Sequence, residues 1–176
     1  MEKNETIAEG KGEKRSLSRG YVFLLLRIGF LALAVWILFG HVFLLHRVSG
    51  QGMYPTIRDG DLVLAYRLQG GYERGDTVLC RQGDALVLGR IGAEGTDVIE
   101  IEENGSLRVN GTVQTGEILY PTYPRETGTF SLRIPEGTVY LLGDYRTQTR
   151  DSRDFGPVPA EDIQGRVILL VRRRGL

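Results

Sequence analysis

Hydrophobic and polar positions divide the chain into three stretches. From Tyr21 to Leu45 the residues are apolar except for Arg27 and His41. At about 1.5 Å per residue a helix of this length crosses a hydrocarbon core of about 30 Å, so the pattern predicts a transmembrane helix over 21–45. No amphipathic stripe is left to face solvent, which argues against a helix buried in a soluble core. Arg27 would cost about 2.5–3.5 kcal/mol at mid-membrane, but close to the helix start its flexible stem carries the charge to the head groups. Residues 1–20 mix Lys3, Lys11, Lys14, Arg15 and Arg19 with four glutamates and have no apolar period, the pattern of a disordered tail. Beyond the apolar span the period shortens. Leu62 to Tyr66, Thr77 to Arg81, Ala85 to Ile91, Val98 to Glu102, Ser106 to Val109, Thr138 to Leu142 and Arg166 to Val171 are short runs rich in Val, Leu and Ile. Glu103-Asn104-Gly105, between two of these runs, and Asn110-Gly111, just after the second, are hairpin-type turn signals. Tyr120 to Glu136, with Pro121, Pro124 and Pro135 and no clean period, reads as a long loop or hinge. The prediction is a mainly β domain of short, twisted antiparallel strands over 46–176, behind one N-terminal helix.

Charge sets the orientation of that helix. Five lysines and arginines precede the span and Arg47 stands alone just after it, which keeps residues 1–20 in the cytoplasm and places 46–176 on the far side of the membrane. A cleaved secretory leader would have a shorter apolar region and a small-residue cleavage pattern, and His46-Arg47-Val48 is not one. Over the whole chain 22 basic and 22 acidic residues balance to zero, so the composition gives no basic excess for nucleic acid. The single cysteine, Cys80, makes an intramolecular disulfide and a cysteine-based metal cluster impossible; its apolar run Val78-Leu79-Cys80 marks an ordinary buried thiol. No cofactor is expected.

The candidate chemistry lies in three boxes. The first is Ser49 to Leu62, where Gly50, Gly52, Pro55 and Gly60 make a chain of turns and Met53-Tyr54-Pro55-Thr56-Ile57 is followed by Gly60-Asp61. The second is Gly89-Arg90-Ile91-Gly92-Ala93-Glu94-Gly95-Thr96-Asp97. The third runs from Gly143-Asp144-Tyr145-Arg146 through Thr149 and Asp151-Ser152-Arg153 to Phe155-Gly156 and Val158-Pro159. In this order, behind a single anchor, the boxes resemble those of the type I signal peptidases, the bacterial leader peptidases. The family places its nucleophilic serine immediately before the Met-x-Pro-Thr run and its lysine base immediately before the arginine of the second box. Here both positions are glycine, Gly52 and Gly89. Tyr145 replaces the asparagine of the third box, and Thr149 replaces a serine that in the family helps hold the lysine.

The resemblance implies a bacterial cell membrane location, an exported peptide substrate, and charge-assisted bonds beneath the site from a tetrad of Asp144, Arg146, Asp151 and Arg153, with Arg90, Thr149 and Ser152 also supporting it. It also implies a groove for an extended peptide, with Gln51, Met53, Tyr54 and Pro55 on one side and Leu86 to Leu88 on the other; the two glycines are expected to widen it. No lysine lies after the anchor, and both histidines, His41 and His46, are in or beside it. Ser49 and Thr56 flank Gly52 but lack such a base, leaving Asp and Glu as weak candidates. The expectation is a non-catalytic member similar to the signal peptidase-like pilus assembly factors of Gram-positive bacteria, binding exported precursors or pilin subunits. An active signal peptidase with an unrecognised base, and a structural β-domain that organises membrane partners, are the alternatives.

Overall fold

The computed structural model describes residues 5–115 and 119–172, with side chains from Gly20 onward. It divides into two units, one ending at Gly40 and one beginning at His41. The first is helix α1, Glu5–Ile37, prolonged by one π-helical turn, Leu38–Val42. Gly20–Val42 has a mean hydropathy of 2.6 and buries none of its apolar window, so this 23-residue stretch is long and apolar enough to cross a membrane. The helix extends back to Glu5, into the segment whose polar pattern predicts disorder; a helix nucleated on the apolar span propagates readily through the Glu, Lys, Arg and Ala found there.

At its other end the expected helix is too long. Phe43, Leu44 and Leu45 leave it to form strand β1, Phe43–Arg47, paired antiparallel with β2, Leu62–Tyr66. Apolar residues suit either conformation, and the partner strand some twenty residues on decides the matter. The Phe43 ring lies 5.8 Å from that of Tyr66, a cross-strand contact that the apolar count alone does not reveal.

The second unit holds the remaining elements in two antiparallel sheets. They are β3 (Thr77–Gln82), β4 (Ala85–Glu94), β5 (Val98–Ile101), β6 (Leu107–Val109), β7 (Thr112–Val113), β8 (Phe130–Arg133), β9 (Thr138–Leu142), helix α2 (Ser152–Phe155), β10 (Val158–Pro159) and β11 (Ile163–Val171). The larger sheet has the order β1-β2-β11-β3-β4-β9-β10, the smaller β7-β6-β5-β8. The turn chemistry holds where it was read: Asn110 and Gly111 join β6 to β7 at φ 51° and 77°, the paired positive values of a two-residue type I′ hairpin.

The region 120–136 is not all loop. Phe130–Arg133 pairs with β5, Ile99 opposite Leu132. This edge strand exposes most of its residues and packs only Leu132 on the core, so it leaves a weak apolar signal.

Strands β3 and β9 are buried on both faces, which is why they read as continuous apolar runs. Leu79 enters a cluster with Val48, Met53, Ile57, Val63 and Ala65, while its neighbours Val78 and Cys80 join Ile91, Val139 and Leu141 on the other face. Tyr140 and Leu142 turn to a third cluster beneath the smaller sheet. Cys80 is 1% exposed, and burial, with the charge of Asp162 adding to it, pushes its thiol up to about 11; it is a core side chain.

Candidate functional site

The connection from β1 to β2 is a loop pinned at its ends. Val48 N donates to Asp61 O and Gly60 N to Val48 O, at 2.8 and 2.9 Å. Its two aspartates accept from the loop's own backbone, Asp59 from Gly50 N and Asp61 from Arg58 N, at 2.8 and 3.0 Å. Met53 and Ile57, one helical turn apart and joined by a backbone bond of 2.9 Å, plug the cluster beneath. That arrangement holds Gly52 half-buried on a hydrogen-bonded loop.

The third box folds as a turn followed by a short capped helix. Tyr145 N donates to Gly52 O at 2.9 Å, and Tyr145 O accepts from the amides of Gln148 and Thr149. Asp151 caps α2 reciprocally with Asp154. Its carboxylate also takes a two-pronged bond from Arg153, 2.9 and 2.8 Å, and another from Gly143 N at 3.2 Å. These two side chains are 5% and 2% exposed, so removing one partner leaves a buried charge and costs about 3–5 kcal/mol. Ser152 Oγ accepts from Leu141 N at 2.9 Å and ties the box to β9.

A second fork joins the second and third boxes. Arg90 Nε and Nη2 donate to the two oxygens of Asp144, both at 2.8 Å, and its Nη1 donates to Gly75 O. Burial alone pushes Asp144 up, but bonds from Arg90 and Thr56 and the charges of Arg90 and Arg146 outweigh it and hold the carboxyl below its usual range. Arg146 is fully buried and donates to Thr122 Oγ1 at 2.8 Å, with no carboxylate partner at hydrogen-bond distance among the described residues. Burial brings its guanidinium down to about 10, against the pull of Asp151 and Asp144, so it remains charged at neutral pH. The expected tetrad is therefore two separate forks plus one buried arginine on a threonine.

A groove of about 270 Å³ lies between this loop and β4. Val48, Gly52 and Met53 border one side, Leu86, Val87 and Leu88 the other, and Gln148, Thr149 and Arg150 also line it. Of the predicted groove residues, Gly52, Met53, Leu86 and Leu88 meet there, whereas Gln51, Tyr54 and Pro55 are not among its lining residues. Met53 is only 2% exposed and belongs mainly to the core. Tyr54 turns instead to the ring of Tyr145, 5.8 Å between centroids, and Tyr145 to Tyr120 at 4.6 Å.

The glycines do not widen the groove. A Cβ on Gly52 would lie 2.9 Å from Thr149 Oγ1, and one on Gly89 would lie 3.3 Å from Leu141 Cβ. The hydroxyl of Thr149 fills the space at residue 52, and the space at residue 89 faces β9. Thr56 bonds Asp144, whose lowered pKa makes it a poor proton acceptor.

Strand β4 is paired on both sides over only part of its length. Ala85 to Arg90 pair with β3, but β4 pairs with β9 only from Arg90 to Glu94. Along Leu86 to Gly89 the edge away from β3 has no strand partner among the described residues.

The sequence boxes did not point to Thr122, Tyr123 or Arg125. Arg125 Nη2 donates to Thr149 O and to Asp154, while Arg153 Nη1 donates to Tyr123 O. All three lie in the proline-rich stretch, which carries no periodic signal; a cation in a segment between two boxes is the only mark of Arg125.

Comparison with known proteins gives the class. The family model for signal peptidases, peptidase S26, matches residues 21–171. The chain belongs to this family, and its N-terminal apolar helix makes it a membrane-anchored member. Signal peptidase I U of Bacillus subtilis (strain 168) is 29% identical over 164 residues, covering 85% of this chain and 84% of that relative. Signal peptidase IB of Staphylococcus aureus (strain Mu50 / ATCC 700699) is 32% identical over 144 residues, covering 69% of this chain and 74% of that relative. A crystal structure of a signal peptidase I from Enterococcus faecalis V583 aligns with a TM-score of 0.46 at 26% identity, over 56% of this chain and 97% of that one.

The Arg90 fork should show in the pH dependence of stability. Because Asp144 is depressed in the folded state, its contribution is fully present above the unfolded value of about 3.9 and is lost as pH falls through the lower folded one. Asp144→Asn should therefore be less stable than the parent at pH 7, with the gap closing on acidification in urea unfolding. A gap unchanged from pH 7 to about pH 2 would remove the fork from the account.

Proposed function

We propose that this protein is a non-catalytic member of the signal peptidase family that binds extended segments of exported precursor proteins beside the membrane. The observation that carries the reading is the unpartnered edge of β4 at Leu86 to Gly89, set across the groove from Gly52. A peptide laid along such an edge gains backbone hydrogen bonds, and shallow apolar neighbours such as Leu86 and Leu88 select its side chains. None of this needs a nucleophile. Pilin subunits fall within this class of exported client.

The second reading, an active signal peptidase, draws its support from the names of the relatives. Against it stand Gly52 and Gly89. Losing either the nucleophile or the base of a serine protease costs roughly 10⁶ in turnover. The occupied space at Gly52, where a Cβ would lie 2.9 Å from Thr149 Oγ1, adds a steric obstacle.

The charge bias also supports an orientation with residues 1–20 in the cytoplasm and the β-domain outside. Protease added to intact cells should then remove the β-domain and spare the N-terminal tail; the opposite digestion pattern would reverse the topology.

Purified protein should leave a signal-peptide reporter uncut, and Gly52→Ser with Gly89→Lys should also fail, because Thr149 Oγ1 crowds position 52. Adding Thr149→Ser removes the β-branch and lets that hydroxyl swing aside, so the triple variant is the first expected to cleave. Cleavage by the unmodified protein at the rate of an active relative would establish the second reading.

A further inference from the structure

The outer face of β1, β2 and β11 is apolar. The register sets Leu45, Leu64 and Leu169 side by side across the three strands, and Arg47, Leu62 and Val171 in the next row. The alternate residues Leu44, Val63, Ala65 and Leu170 belong to a core cluster, so these two rows point away from it. Leu45, Leu169 and Val171 are more than half exposed, and Leu62 is 38% exposed. Large apolar side chains gathered on one face mark a surface that meets something other than water.

One end of this face is cationic. An open hollow of about 380 Å³ lies there, lined by Arg47, Gly60, Leu62, Val171 and Arg172. Arg47 has no hydrogen-bond or ion-pair partner among the described residues, and Arg172 uses only its Nη2, on Thr56 O at 3.2 Å. No carboxylate is among these lining residues, and β1, β2 and β11 contain neither Asp nor Glu. The aspartates flanking Gly60 serve their own loop: Asp59 accepts from Gly50 N, and the buried Asp61 from Arg58 N. The complement of this end is therefore an anion carried on an apolar stem.

Chain connectivity selects the source of that anion. The apolar span ends at Val42, and Arg47 follows five residues later. At no more than about 3.6 Å per residue, the Arg47 Cα stays within about 18 Å of the end of the span, where the hydrocarbon core gives way to head groups. A second copy of the chain is a poorer occupant. Two-fold pairing of this face would set its arginines against the arginines or leucines of the copy, with no carboxylate on either side.

We propose that this face lies on the bilayer and that Arg47 and Arg172 together hold the phosphate of an anionic phospholipid, whose acyl chains meet Leu62 and Val171. Guanidinium groups suit phosphate oxygens by geometry as well as charge. An anionic head group neutralises the pair, whereas a zwitterionic one brings a cation of its own. The proposal rests on the membrane anchor and is independent of peptide binding along β4.

The test places the full-length protein in nanodiscs of equal phosphatidylglycerol and phosphatidylcholine, with bromine on the acyl chains of one lipid or the other. The single tryptophan, Trp36, is moved to the face by Trp36→Phe with Leu169→Trp, and its quenching is read. Quenching is expected to be at least twofold stronger when phosphatidylglycerol carries the bromine. The preference should vanish in Arg47→Gln with Arg172→Gln and persist in Arg47→Lys with Arg172→Lys, which keeps the charge. Absence of quenching by either lipid would put the face in solvent or against a protein and overturn the proposal. Equal quenching by the two lipids, or a preference undiminished in the glutamine variant, would overturn it too. So would loss of the preference on adding inorganic phosphate at constant ionic strength, which would assign the arginines to a soluble anion.

Discussion

One buried carboxylate organises the site. Asp151 accepts from the amides of Gly143 and Arg153 and from two nitrogens of the Arg153 guanidinium, while its own amide donates to Asp154. A carboxylate taken so far from water is tolerable only when its lone pairs are met in this way. The bonds fix the ends of the loop 143–153, and the loop in turn delivers Thr149 to Gly52. Arg90 does the same from the side of β4, holding Asp144 with both prongs of its guanidinium.

This framework does not depend on the two residues that the family uses for chemistry. The Arg90–Asp144 and Arg153–Asp151 forks pair charge with charge, and neither uses a side chain at position 52 or 89. The space left behind is not empty either: Thr149 and Leu141 stand against it. On the reading proposed above, the recognition surface outlived the reaction because each rests on different atoms. Backbone groups of β4 and the loop recognise, and side chains at 52 and 89 would have reacted.

The sequence made some of this legible and hid the rest for physical reasons. The anchor, the hairpin at Asn110-Gly111 and the forked arginines were readable because span length, turn chemistry and box spacing are local signals. The end of the helix was not, because Phe43 to Leu45 satisfy either conformation and β2 decides. β8 escaped for want of a buried face. Arg146 looked like a member of a charged tetrad, yet its partner is a hydroxyl from the proline-rich stretch, a long-range match with no pattern at either end. The crowding at Gly52 also depends on a contact across about a hundred residues, so the absence of a side chain read as open space when it is filled.

The central claim is that the free edge of β4 takes up an extended exported segment without cutting it. Amide hydrogen exchange at Leu86 to Gly89, measured on the full-length protein with and without an excess of a signal-peptide sequence, tests this most directly. The account predicts slower exchange at these amides in the presence of the peptide, which itself remains intact. Exchange unchanged along this edge, or a cleaved peptide, would contradict it.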